Sequence, residues 1–182
     1  MVSKPKLQRR SDPGTLTAYT QENLYTPKDL ECAAKDWPRS EVEKAFAAYR
    51  AAIEVGDHET MAAMLADDGR AGNAAFGLFH DRASYLKFLT DCWLEVIPNR
   101  SVWQMIDGGR VVNKWRESLP GSPPEGGRYD YFGINEVIYA GDGQFRFMFS
   151  LPDLFGLNVL YGRWKTDGQH ETYGDIYPGL SK

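Results

Sequence analysis

Nothing in the sequence ties the chain to a metal, a membrane or a nucleic acid. Two cysteines, Cys32 and Cys92, are too few for a disulfide framework or a zinc site. The three histidines, His58, His80 and His170, lie too far apart for metal-ligand spacing. No apolar run approaches the roughly 18–20 residues of a membrane helix. The basic opening MVSKPKLQRR is not followed by the apolar segment of a secretory signal, so a cytoplasmic location is expected. With 21 basic against 25 acidic side chains the net charge is −4, the wrong sign for a nucleic-acid binder. Repeats, low-complexity tracts and nucleotide motifs are also lacking. No cofactor, no nucleic-acid partner and no membrane partner is therefore expected.

What the chain has is apolar and aromatic: five Trp, ten Tyr and nine Phe in 182 residues, enough for one domain with a real core. Residues 1–38 are rich in turn formers (Pro5, Pro13, Gly14, Pro27, Pro38) and read as an N-terminal extension packed against the body. Residues 39–165 form the domain, and 166–182 a polar C-terminal tail. Pro38 and Arg39 open a helix that Ser40 can cap, with Glu41 and Glu43 at the positive end of its dipole. Val42, Ala45, Phe46, Tyr49 and Ile53 give it one apolar stripe, and Gly56 ends it. A second helix spans His58–Leu65, broken by Asp67, Asp68 and Gly69, and Ala71–Phe79 reads as irregular strand. Asp81 caps a third helix that buries Tyr85, Phe88, Leu89, Cys92 and Val96 before Pro98 stops it.

The texture then changes to period two. Ser101–Ile106 and Arg110–Glu117 form a hairpin through Asp107, Gly108 and Gly109. Arg128–Tyr139 and Gln144–Leu151 follow, joined at Gly141, Asp142 and Gly143, and Asp153–Trp164 is a weaker helix. Three helices followed by an antiparallel meander make an α+β order. Alternation puts Phe145, Phe147 and Phe149 on one strand face and Arg146, Met148 and Ser150 on the other. Likewise Phe132 and Ile134 oppose Tyr131, Gly133 and Asn135. Aromatics on both faces predict that a second subunit or the N-terminal arm covers the outer one. A homodimer or homotrimer is expected.

The stretch YRAAIEVGDHETMAAMLADD, Tyr49–Asp68, resembles the nuclear transport factor 2-like superfamily, which includes SnoaL-like proteins, ketosteroid isomerase and scytalone dehydratase. A helix with a buried Tyr, a Gly-Asp break, a short helix and an acidic pair carry the resemblance. GLFHDRASYLKFL is similar to the strand-to-third-helix junction and INEVIYAGDGQFRFMF to the final hairpin, so the likeness covers about Glu41–Leu160. It implies a cone-shaped fold, with three N-terminal helices packed in a strongly curved antiparallel sheet. A deep apolar pocket for an aromatic or ring-bearing small molecule would lie at its open end. In ketosteroid isomerase one Tyr and one protonated Asp hold a dienolate while another Asp moves the proton. A gap-free overlay puts Tyr49 at that Tyr, Asn135 at the hydrogen-bonding Asp and Asn73 at the proton-moving Asp. An amide cannot accept and return a proton, which disfavours isomerase chemistry.

A base must then come from elsewhere. Lys114 shares a strand face with Arg110, Val112 and Arg116, and a lysine desolvated in an apolar pocket loses its proton near neutrality. His80, of a residue type that changes charge near neutrality, falls at the expected pocket mouth. The expected catalytic set is Tyr49, Lys114, Asn135, Tyr131 and His80. The expected substrate contacts are Asn73, Phe76, Phe88, Tyr129, Arg146 and Met148. Structural roles stand beside these: Tyr49 as a core tyrosine, Asn73 in a turn, His80 and Lys114 at the surface, Arg146 in an ion pair. Three functions stay open. The first is an acid/base lyase or dehydratase on a hydrophobic aromatic molecule, such as formaldehyde-releasing cleavage of a lignin-derived diarylpropane diol to a stilbene. The second is a polyketide cyclase, isomerase or epoxide hydrolase-like enzyme, and the third a non-catalytic ligand-binding module.

Overall fold

A computed structural model describes residues 23–92 and 99–174. Expectations for the Cys92 side chain, Val96, Pro98 and the first prolines lie outside the described residues. The extension holds a helix that its composition hid, α1 (Pro27–Ala34). Thr26 and Asp29 form a reciprocal capping box, with Pro27 at the first turn where its missing N–H costs nothing. Helix α2 (Arg39–Val55) buries the expected stripe, and Gly56 closes it at φ +68°. Its N-cap is Pro38, without a side-chain bond, rather than Ser40. Asp57 caps α3 (His58–Ala63).

Strand β1 (Leu65–Asn73) then runs through the acidic stretch expected to be a break. Its pairing slips between Leu65 and Arg70. At Gly69, in the slip, a Cβ would lie 2.9 Å from the Ala66 carbonyl oxygen. A short β2 (Gly77–Phe79) leads to α4 (Arg82–Cys92), and Asp81 accepts from the Ser84 N–H as a cap should. The remaining elements are β3 (Asn99–Asp107), β4 (Arg110–Leu119), β5 (Tyr129–Gly141), β6 (Gln144–Pro152), α5 (Leu154–Thr166) and α6 (Gln169–Tyr173). The C-terminal tail thus carries a helix of its own.

The six strands form one sheet in the order β2-β1-β6-β5-β4-β3. All pairs are antiparallel except β1 with β6, so the sheet is mixed rather than purely antiparallel. Helices α2, α3 and α4 fill its inner side, where Phe46, Met61 and Leu89 meet Val111, Val137 and Phe145. On the outer side Leu24, Tyr25, Cys32 and Ala33 pack on Leu78, Ile138, Phe147 and Phe149. The arm therefore covers the outer face at Leu78, Ile138, Phe147 and Phe149. Trp103, Met105, Phe132, Ile134 and Leu151 remain exposed. Among the described residues no helix is long and apolar enough to cross a membrane.

One bulge decides which side chains face in. Phe145 pairs with Tyr139 and Phe147 with Ile138, which makes Arg146 the extra residue. Phe145 stays inside the core, whereas Phe147 and Phe149 turn outward and stack at 5.8 Å. The three phenylalanines do not share a face, because the inserted residue flips the parity of everything after it.

Candidate active site

Strand register stacks the inner face into cross-strand rows. Ile106, Val111, Val137, Met148 and Ala71 form an apolar row beneath α2–α4. The next row is polar: Asn113, Asn135, Ser150 and Asn73. Trp115, Gly133 and Pro152 follow, then Asn99, Glu117 and Tyr131, and lastly Leu119 and Tyr129. Helix α5 closes this end, packing Leu157, Tyr161 and Trp164 against Trp115, Leu119, Tyr129 and Tyr131. The polar row thus lies between two apolar clusters on one face.

Gly133 is what lets Trp115 reach this row. A Cβ at 133 would sit 2.1 Å from the indole Cζ2, so the ring lies across the β5 backbone. Its Nε1–H donates to Asn135 Oδ1 at 2.8 Å. Beside Asn135, the Asn113 side chain is fully buried; its Oδ1 accepts from Ser101 Oγ, and its Nδ2 has no partner.

The Glu117 row holds the charge. Asn99 Nδ2 donates to Glu117 Oε1 at 2.6 Å, and the Tyr131 hydroxyl donates to Oε2. Arg50 of α2, 7% exposed, donates through Nη1 to Asn99 Oδ1 at 2.7 Å. Burial pushes the Glu117 carboxyl above the usual glutamate range. The Asn99 and Tyr131 hydrogen bonds and the Arg50 charge pull it back only in part. Burial also lowers the Arg50 pKa. A carboxyl raised by burial and held by two donors on the inner face of a curved sheet is a candidate to pass a proton to and from a bound molecule. Among the described residues no group of three or more His, Cys, Asp or Glu could hold a metal ion.

Solved structures share this architecture. An LEH-like epoxide hydrolase from M. tuberculosis matches with a TM-score of 0.56 at 17% identity, over 75% of this chain and 95% of that one. A protein assigned as a SnoaL-like polyketide cyclase from Jannaschia sp. CCS1 matches at 0.56 and 14%, over 69% and 96%. One assigned as a ketosteroid isomerase from Kribbella flavida matches at 0.52 and 17%, over 62% and 78%. The chain has the nuclear transport factor 2-like fold. No protein-family model and no curated protein matches the sequence. At these identities the likeness is one of fold, and the nuclear transport factor 2-like fold alone specifies no reaction.

Within that fold the expected site residues separate. Asn135 and Tyr131 lie on the inner face, four residues apart and so roughly 13 Å along the strand. Met148 lies in the apolar row, and Phe76 and Phe88 pack at the core with ring centres 5.1 Å apart. Tyr49 is a core residue beside Phe46 and Phe145; its hydroxyl lies 3.4 Å from that of Tyr85 rather than pairing with Asn135. Burial raises both of these phenols. Asn73 Oδ1 accepts from the Ala75 N–H and so braces a turn. The Tyr129 hydroxyl donates to Asp167 beneath α5, and its pKa is pushed up to about 12 by burial and that carboxylate.

Two placements correct the expectations. Lys114 pairs with Ile134 and lies on the outer face, its Nζ 4.9 Å from the centre of the Phe132 ring. Arg146 is turned outward by the bulge and ion-pairs with Asp29 and Asp68. His80 is exposed. Glu117, Asn113, Trp115, Asn99 and Arg50 were not among the expected residues. Their signal lay in the alternation of β4. The set Val111, Asn113, Trp115, Glu117 and Leu119 is more apolar than Arg110, Val112, Lys114, Arg116 and Ser118, which marks it as the buried face.

Proposed function

We propose that the chain is an acid/base lyase or dehydratase acting on a hydrophobic, aromatic small molecule, with Glu117 as the proton-transferring group in place of Lys114. The observation that carries this proposal is the Glu117 carboxyl, raised by burial and held by Asn99 and Tyr131. Trp115 and Met148 supply apolar surface, and the Asn135 carboxamide offers a donor to an oxygen that gains negative charge. The span from Asn135 to the Glu117 row suits a two-ring ligand.

A para-hydroxylated diarylpropane diol fits these groups. Protonated Glu117 gives its proton to the benzylic hydroxyl, which leaves as water as its C–O bond breaks. The phenol, its proton lost to solvent, becomes a quinone methide whose oxygen rests at Asn135. The Glu117 carboxylate then takes the proton of the primary alcohol. The C–C bond to that carbon breaks, formaldehyde departs, and the electron pair forms the stilbene double bond. The restored phenolate regains its proton. Incubating the protein with this diol, without added cofactor, is expected to yield stilbene and formaldehyde in equal amounts. Glu117→Gln is expected to slow this by 100-fold or more, on the order of a lost general acid/base. No product from the wild-type protein removes the stilbene chemistry, and undiminished turnover in Glu117→Gln removes Glu117.

One observation favours a second possibility, an epoxide hydrolase-like activity. Arg50 stands between Glu117, reached through Asn99, and Glu54, 3.7 Å away on the next turn of α2. Hydration of an aryl epoxide to a diol, lost in Arg50→Met, would support it over the elimination.

A further inference from the structure

We propose that Asn113 and Asn135 together form a two-carboxamide cradle that selects a ligand presenting an acceptor oxygen, a ring carbonyl or a phenolate. This rests on the inner face being the ligand site, and it names the chemistry the ligand must bring. The two asparagines are register partners on β4 and β5, which places their Cα atoms about 4.5–5.5 Å apart. Each carboxamide is oriented by a hydrogen bond to its oxygen end. An indole N–H can only donate, so Trp115 fixes Asn135 with Oδ1 as acceptor and leaves its NH2 available to an incoming acceptor. On Asn113 the oxygen accepts from the Ser101 hydroxyl, and Nδ2 is left buried with no partner.

An unpaired buried donor is costly, and folded proteins seldom keep one without use. Its flanking rows are largely apolar, with Val111 and Val137 in one and Trp115 and Gly133 in the other, while Gln104 is its polar register partner on β3. Lys114, the nearest basic residue along β4, points to the outer face. Two neutral donors therefore stand at this row, that of Asn135 fixed by the indole. They favour an oxygen carrying partial or full negative charge, and they oppose an ammonium or amide N–H, which would bring donor against donor.

The test compares 2-naphthol with naphthalene, probes that differ by one oxygen, by fluorescence titration of the full chain. Wild type is expected to prefer 2-naphthol and to ionise it at a lower pH than free solution does. Asn113→Leu is expected to weaken 2-naphthol about tenfold while leaving naphthalene unchanged. Asn113→Asp, which replaces the NH2 by a second acceptor, is expected to weaken it at least as much and to abolish the ionisation shift. Lys114→Met serves as the control with an unaltered ratio. A wild-type preference for 2-naphthol that survives in folded Asn113→Leu and Asn113→Asp overturns the cradle. So does wild type that binds neither probe or both equally. Because binding is read without turnover, failure of the diol reaction leaves this ratio untouched, and the two proposals fall separately.

Discussion

The two faces of the sheet answer their buried polar groups differently, the outer one with opposite charges and the inner one with neutral hydrogen bonds. On the outer face Asp29, 1% exposed, sits between Arg70 Nη2 at 2.5 Å and Arg146 Nε at 3.0 Å, the latter an ion pair rather than an aligned hydrogen bond. Its carboxylate also accepts from the Thr26 N–H, and Arg146 reaches Asp68, which Lys28 contacts. Every charge in this cluster has a counter-charge, and the result ties α1 to the sheet. On the inner face Asn113 keeps an unpaired donor and Glu117 a perturbed carboxyl. Outer-face atoms that lack a hydrogen bond, such as Asp29 Oδ1 and Arg146 Nε, still face an opposite charge. The neutral Asn113 donor faces neither an acceptor nor a charge, and Glu117 is held by neutral donors.

The largest effect should come from breaking the paired face. Asp29→Ala leaves Arg70 and Arg146 without their buried counter-charge and is expected to cost about 3–5 kcal/mol in urea unfolding. A loss under about 1 kcal/mol would mean that the cluster is not a tether. On the inner face Gly133→Ala drives a methyl into the Trp115 indole. The expected cost is about 1–3 kcal/mol, with a shift in tryptophan emission as the bond to Asn135 is lost. Unchanged emission and stability would place the ring elsewhere.

A smaller effect follows from Glu117. Its folded pKa is raised, so the native protein holds this proton more tightly than the unfolded chain does. Stability therefore falls as pH climbs from the usual glutamate range to the raised value, and the loss is constant above it. Glu117→Gln carries no such charge. Its urea midpoint relative to wild type is expected to rise across that window and then level off, and a difference flat in pH would remove the perturbed carboxyl. The least effect is expected at Lys114→Met, under about 1 kcal/mol from a lost cation–π contact, with turnover unaltered. A large loss of turnover there would return Lys114 to the site.

Much of this contrast was legible in part. The cap at Asp81, the stop at Gly56 and the four long strands follow from local rules, because a cap or an alternation involves residues near in sequence. Tyr131 and Asn135 were placed on one face by the same arithmetic. Lys114 falls on the wrong face when period two is read without weighing which of its two residue sets is the more apolar. Helix α1 was missed because five turn formers outweighed the Thr26–Asp29 capping pair. Arg146 and the phenylalanines beside it were missed because a bulge is a mismatch between two strands, invisible in either alone.

Sequence by itself determined the α+β order, the apolar stripe of α2, the strand periods and the resemblance to a cone-shaped fold, all properties of short windows. Tertiary structure alone decided that Glu117 meets Asn99 and Tyr131, with Arg50 reached through Asn99, and that Asn113 stands beside Asn135 with a donor to spare. Pairing register and burial act between residues far apart in the chain, and a carboxyl or a carboxamide acquires its chemistry from the neighbours they bring to it.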